Sequence, residues 1–214
     1  MKYRKLVENA KKPNGFWGKM MIKAMNKGHS SLTSWGLEHM NIERTATVLD
    51  IGCGGGKTVD RLCSIVANGK VYGIDYSELS VKSSKKLNSK NILCNKAKIL
   101  QASVSDMPFD DNTFDNITAV ETYYFWPDKE NDLKEVFRVL KQGGTVMMLF
   151  EMLRTDDDPF KWEKVENMLN IKSVTPQEIR AVLESAGFEN INTYTKEGTT
   201  WLCATAQKPK DDEN

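Results

Sequence analysis

Three glycines at alternate positions mark the part of this sequence whose residue types could bind a ligand. Residues 47–58 are TVLDIGCGGGKT, with the glycines at Gly52, Gly54 and Gly56. Because glycine has no Cβ, the backbone N–H groups of such a turn can approach a ligand closely. The apolar residues before the turn indicate a buried parallel strand, and the helix expected after it directs its positive end at the same point. The pattern predicts a cofactor-binding turn.

The spacing of these glycines distinguishes between kinds of nucleotide-binding turn. A phosphate-binding P-loop would need a glycine where the chain has Ile51, and a dinucleotide fingerprint would need its third glycine where the chain has Lys57. The match is to G-x-G-x-G instead. A second apolar segment, 71–75, ends in Asp75, roughly twenty residues past the glycines, where a ribose-binding carboxylate belongs. Such an acid fits any cofactor that carries an adenosine ribose.

The hydrophobic periodicity predicts the elements that must position these residues. Strands are predicted over 48–51, 71–75, 98–102, 116–120, 145–150, 188–195 and 200–205, and helices over 58–66, from Ser77, from 129 to the glycines at 143 and 144, and over 175–185. Ser77 is expected to cap its helix, and Thr175 begins the last helix with a partial capping box. This succession is typical of a single α/β domain.

Residues 1–45 precede the first core strand and are expected to form a separate helical segment. Two short amphipathic helices are predicted over 16–22 and 32–40, broken at 26–29, with Ser30 or Ser31 as the cap of the second. Such a segment either covers a ligand as a lid or packs on the sheet. The core domain is expected over 46–207, and the polar residues 208–214 are expected to be a disordered tail.

The composition excludes several classes of partner. Thirty basic and twenty-nine acidic side chains leave a net charge of +1, so no overall field attracts nucleic acid or an anionic membrane. The longest fully apolar run, 146–150, is too short to span a bilayer, and we expect a soluble cytoplasmic protein that is a monomer or a homodimer. Four scattered cysteines and the consecutive acids 156–158 do not form a ligand set, so no metal site is expected.

Four stretches of the chain together resemble the class I S-adenosylmethionine-dependent methyltransferases. These stretches are 48–56, 71–77, 107–115 and 135–144, and the last two look like the small-molecule, type 11 group. The resemblance covers roughly residues 44–206. It implies a Rossmann-like, seven-stranded, mostly parallel sheet with an antiparallel last strand and helices on both faces. It also implies S-adenosyl-L-methionine as the cofactor and S-adenosyl-L-homocysteine as the product.

The same resemblance implies roles for residues around the cofactor. Asp50, Gly52 and Gly54 would lie at its methionyl end and sugar, Asp75 would accept the ribose hydroxyls, Tyr76, Ser103 and Val104 would contact the adenine, and Glu121 would border the methionine moiety. One position departs from the pattern, because relatives commonly have an acid where this chain has Ser103. At this position the resemblance implies that Ser103 and the backbone of Val104 bind the edge of the adenine ring.

The methyl acceptor is expected at the carboxyl ends of the strands, where open α/β sheets bind their ligands. Tyr123, Tyr124, Phe125 and Trp126 follow the fourth strand and are predicted, with Trp35, to line its pocket. His29 is the candidate general base, and the hydroxyl of Tyr124 is a second candidate catalytic group. The leading hypothesis is methyl transfer to a small molecule, without nucleic acid or membrane. The alternatives are a protein or RNA methyltransferase, an NAD-dependent oxidoreductase and a non-catalytic cofactor-binding domain.

Overall fold

A seven-stranded sheet organises the chain, whose computed structural model describes residues 9–210. Its strands are β1 (Thr47–Ile51), β2 (Lys70–Asp75), β3 (Ala97–Gln101), β4 (Phe114–Val120), β5 (Leu140–Phe150), β6 (Glu189–Thr195) and β7 (Leu202–Gln207). They lie in the order β3-β2-β1-β4-β5-β7-β6. Neighbours from β3 to β5 are parallel, whereas β7 is antiparallel to both β5 and β6. The predicted sheet with its reversed last strand is confirmed.

Helices cover both faces of this sheet. They are α1 (Gly15–Gly28), α2 (Ser30–Leu37), α3 (Lys57–Ile65), α4 (Glu78–Leu87), α5 (Ser89–Leu93), α6 (Lys129–Val139), α7 (Glu163–Leu169) and α8 (Pro176–Ser185). Successive residues of a strand point to opposite faces. Val48 accordingly packs with Val59 and Leu62 of α3, while Leu49 belongs to the cluster that contains Leu133 of α6. No helix of residues 9–210 has the length and apolarity to cross a bilayer.

Two predicted helix caps are present as hydrogen-bonded structures. The Ser77 side chain accepts the N–H of Ser80 at the start of α4. At α8, the Thr175 hydroxyl accepts the N–H of Glu178 while the Glu178 carboxylate accepts the N–H of Thr175, which is the full capping box. These caps fix where the two helices begin.

Three local predictions were wrong. Helix α1 continues to Gly28, so the break is the single residue His29, and His29 rather than Ser30 or Ser31 occupies the N-cap position of α2, without a side-chain cap. Helix α6 ends at Val139, before the glycines expected to end it. Gly143 has φ +71° inside β5, beside a register irregularity between β4 and β5, so its conformation serves the strand pairing instead.

Lys208, the first residue of the predicted tail, packs against the domain. Lys208 is buried, and its Nζ donates to the carbonyls of Phe137 and Leu140 at 2.8 and 2.9 Å, which caps the carboxyl end of α6. Residues 211–214, and likewise residues 1–8, lie outside the described part of the chain. The other domain boundaries remain predictions.

The close contact between α2 and the sheet requires a glycine at position 36. A Cβ at Gly36 would lie 2.3 Å from a methyl carbon of Leu149, which is fully buried in β5 and has little room to change rotamer. We expect Gly36→Ala to cost about 1–3 kcal/mol through overpacking, or roughly 2–10 °C in Tm. Gly28→Ala is the matched control, because nothing lies within 4 Å of its Cβ. Thermal unfolding that does not distinguish the two variants would refute this account of the contact.

Candidate active site

Two neighbouring cavities lie at the carboxyl edge of the sheet. The larger has a volume of about 450 Å³, and its lining includes Gly52, Asp75, Tyr76, Ser103, Val104, Thr122, Tyr124, Phe125 and Trp126. The smaller, of about 50 Å³, is lined by His29, Asp50, Gly52 and Gly54 among others. Gly52 borders both. The structure therefore gathers residues from the ends of β1, β2, β3 and β4 into one region.

The glycine turn after β1 is held by the carboxylate of Asp75. Its Oδ2 accepts the N–H of Gly54 at 2.9 Å, and its Oδ1 accepts the N–H of Ser77 at 2.8 Å. A residue predicted only from its distance along the chain thus connects the turn to the start of α4. Gly52 has φ +68°, and a Cβ there would lie 2.3 Å from Thr122 Oγ1, so this position admits no side chain.

Asp50 is a buried carboxyl group beside the turn. It is 2% exposed, and the Thr118 hydroxyl donates to its Oδ1 at 2.7 Å. Burial raises the pKa of Asp50 to about 7; the charge of Asp75 raises it further, and the hydrogen bond from Thr118 opposes both. A cation bound next to Asp50, such as an amino group, would stabilise the carboxylate form.

Tyr76 and the segment after β3 form another part of the larger cavity's wall. Tyr76 is 38% exposed, and its hydroxyl donates to the carbonyl of Lys11. Ser103 and Val104 line the same cavity. These are the positions expected around an adenine ring, and the backbone carbonyl of Tyr76 is fixed by the side-chain amide of Gln101 at 3.1 Å. The adenine contacts themselves remain predictions.

The junction between α1 and α2 lies over the glycine turn. Asn26 Nδ2 is 3.5 Å from the carbonyl oxygen of Gly55. Arg61 of α3 donates to the carbonyl and to the hydroxyl of Ser30, at 2.9 and 3.0 Å. Sequence reasoning did not identify Asn26 or Arg61. Residues of α1 and α2 line the smaller cavity, and α2 also packs on the sheet, while the role of this segment as a lid remains a prediction.

The aromatic residues after β4 divide between the cavity and the core. Residues Tyr123–Phe125 form a 3₁₀ turn, and Tyr124, Phe125 and Trp126 line the larger cavity. Tyr123 lines neither cavity: it packs edge-on against Phe150 with ring centroids 5.9 Å apart. Trp35 also lies apart from both cavities, among His39, Tyr194 and Trp201, because α2 applies that side of the helix to β5 and β7. The acceptor pocket proposed here therefore omits Tyr123 and Trp35.

His29, Glu121 and Glu151 approach one another beside the smaller cavity. His29 Nε2 is 3.7 Å from Glu151 Oε2, and the Glu121 carboxylate accepts the backbone N–H of Glu151 and the hydroxyl of Tyr124. Burial lowers the pKa of His29 and raises that of Glu121 to about 8. Sequence reasoning missed Glu151. The sequence did indicate this residue, because Glu151 directly follows β5 just as Glu121 directly follows β4, at the edge of the sheet where ligands bind.

A parallel sheet with a glycine turn and an acid at the carboxyl end of the next strand is typical of proteins that bind a nucleoside cofactor. The family described as a methyltransferase domain matches residues 49–148. The uncharacterized methyltransferase YdaC of Bacillus subtilis is 27% identical, over 85% of this chain and 93% of that protein. The ubiquinone/menaquinone biosynthesis C-methyltransferase UbiE of Cronobacter sakazakii is 31% identical, over 73% of this chain and 72% of that protein.

A solved structure shares the fold. A putative methyltransferase, in complex with the Haloferax volcanii Trm112 methyltransferase activator, superimposes with a TM-score of 0.74 at 20% identity, over 88% of this chain and 93% of that one. On the sequence matches, this chain belongs to the class I S-adenosylmethionine-dependent methyltransferases, in the type 11 group. It is an enzyme of that class, and its family uses S-adenosylmethionine.

The raised pKa of Asp50 makes stability depend on pH. The folded protein retains a proton on Asp50 up to pH about 7, which an unfolded chain loses near pH 4. The stabilisation from protonated Asp50 is therefore complete below pH 4 and is lost as the pH rises through 7. Asp50→Asn cannot ionise and does not lose this stabilisation. We therefore expect the free energy of unfolding of Asp50→Asn, measured relative to that of the native protein, to rise by about 1–3 kcal/mol from pH 5 to pH 8.

Urea unfolding at pH 5 and pH 8 measures this difference directly. Asp156→Asn is the control, because Asp156 is exposed. A difference between Asp50→Asn and the native protein that does not change with pH would contradict the assignment.

Proposed function

We propose that this methyltransferase methylates a small molecule that binds against residues 124–126. One observation carries the proposal: a single cavity of about 450 Å³ is bordered both by Asp75 and Tyr76 and by the aromatic residues Tyr124, Phe125 and Trp126. Methyl transfer requires donor and acceptor to meet in one space from which water is excluded. The relative UbiE, whose name assigns it to quinone biosynthesis, supports a small-molecule acceptor.

The residues present fit S-adenosylmethionine. A Cβ at Gly54 would meet only the carbonyl oxygen of Gly52, at 3.9 Å, so space is free above the turn. Asp75 places a carboxylate, 8% exposed, at the cavity edge, and its two oxygens retain lone pairs for ribose hydroxyls. Asp50 stands where an ammonium group is expected. When bound, the cofactor supplies a methyl group on a sulfonium that the acceptor atom displaces in line.

The contribution of the protein is a rigid wall for the acceptor. Trp126 Nε1 is 3.3 Å from the hydroxyl of Thr122, which fixes the indole. The Tyr124 hydroxyl accepts the N–H of Met152 at 3.1 Å and donates to Glu121, and these two hydrogen bonds fix the orientation of the ring. Burial raises the pKa of Tyr124 well above 10, which keeps it a neutral phenol. Aromatic faces stabilise a nearby sulfonium by about 0.5–2 kcal/mol.

Calorimetric titration with S-adenosylhomocysteine, with NAD in parallel, tests the cofactor. We expect micromolar binding of the former alone. Asp75→Asn should weaken it at least about tenfold, because an amide replaces one of the oxygens that face Gly54, Ser77 and the ribose. Asp156→Asn, at an exposed acid, should bind normally. Binding of NAD alone, or of neither compound, would overturn the proposal.

A screen of thiols, phenols and amines with labelled S-adenosylmethionine then identifies the acceptor. With that acceptor, Tyr124→Phe should lower kcat about tenfold and leave S-adenosylhomocysteine affinity within about twofold, because the variant loses the bonds to Glu121 and Met152 but keeps the ring. Tyr194→Phe is the control, since Tyr194 stacks on His39 away from both cavities. Unchanged kinetics in Tyr124→Phe would remove the hydroxyl from the mechanism.

A further inference from the structure

Three metal-ligating side chains from three separate segments meet at the carboxyl edge of the sheet. His29 lies between α1 and α2, Glu121 follows β4, and Glu151 follows β5. One ligand atom of each lies within 4.8 Å of those of the other two. His29 Nε2 and Glu151 Oε2 are 3.7 Å apart. An ion bound at about 2.1 Å holds its ligand atoms roughly 3–4 Å from one another, so small side-chain rotations bring all three to a common ion.

An imidazole nitrogen distinguishes this cluster from an ordinary group of acids. A site made only of carboxylates suits magnesium or calcium, whereas imidazole with carboxylates suits zinc, manganese, cobalt and iron. Among residues 9–210, Glu151 forms an ion pair with His29, and neither Glu121 nor Glu151 forms one with a lysine or arginine. A cation bound between the two carboxyl groups would favour the ionised form of both.

Hydrogen bonds hold the side chain of Glu121 and the backbone of His29 in place. The Glu121 carboxylate is held by the N–H of Glu151 and the hydroxyl of Tyr124. The backbone of His29 is held at both ends, because its N–H donates to Met25 at 3.0 Å and its carbonyl accepts from Thr33. Outer contacts of the kind that Glu121 makes fix the ligands of metal sites.

We propose that His29, Glu121 and Glu151 bind one divalent transition-metal ion beside the smaller cavity, which adjoins the methyl-transfer cavity. In this assignment His29 is a ligand rather than a free general base. Three protein ligands leave coordination positions open, and an acceptor hydroxyl bound there would lose its proton more readily. That role rests on the proposed function, but the binding of the ion does not.

Cobalt titration of the untagged 214-residue chain tests the site without any acceptor. All samples carry the Cys94→Ser substitution, which removes an exposed free thiol that could bind the ion adventitiously. We expect one Co²⁺ per chain, visible by its d–d absorption and displaced by Zn²⁺ but not by equimolar Mg²⁺. His29→Gln and Glu151→Gln should each weaken binding at least about tenfold. Glu38→Gln, at an exposed acid after α2, should not.

The outcomes separate this inference from the proposed function. Absence of saturable Co²⁺ binding, or affinities unchanged in both His29→Gln and Glu151→Gln, would overturn the metal site. Displacement by equimolar Mg²⁺ would overturn the imidazole ligand. Titration of the same samples with S-adenosylhomocysteine reports on the cofactor site alone, so normal binding there with no metal binding would reject only the metal site.

Discussion

The carboxylate of Asp75 is the contact on which the rest of the site depends. It accepts N–H groups from Gly54 and Ser77, and so joins the turn after β1 to the first turn of α4. The parallel pairing of β1 with β2 brings these two segments together, since Ile51 lies opposite Ile74. A buried anion at this point is stabilised by the two N–H groups and by the N-terminal end of α4. The same carboxylate borders the cavity in which the cofactor is proposed to bind.

Acidic side chains lie at or next to the carboxyl ends of four of the parallel strands, and their proximity shapes the electrostatics of the site. Asp75 ends β2, Asp50 is the penultimate residue of β1, and Glu121 and Glu151 follow β4 and β5. Burial raises the pKa of Asp50 and of Glu121, and the neighbouring acids Asp75 and Glu151 raise them further. Such a site disfavours anions. It is suited to ligands that carry positive charge, which include a sulfonium, an ammonium group and a divalent ion.

Local sequence patterns predicted the elements that depend on local physics. The capping box at Thr175 and the cap at Ser77 require only residues within one turn, so the sequence suffices to place them. The glycines at 143 and 144 gave a wrong prediction of a helix end, because a helix end and a strand irregularity both require unusual backbone angles. The pairing of β4 with β5, which a local pattern does not contain, determines that these glycines lie in a strand. The burial of Lys208 was not predicted either, because its partners Phe137 and Leu140 are distant in sequence.

The sequence by itself determined the fold class, the family and the location of the cofactor turn, because glycine spacing, strand periodicity and the acid after β2 are properties of short segments. Only the tertiary structure decided which side chains share a cavity. It placed Trp35 against Trp201 and Tyr123 against Phe150, and it brought Glu151 to His29. Such meetings depend on strand order and on how α1 and α2 pack across the sheet. Both are set by contacts between residues far apart along the chain, and local periodicity carries no information about them.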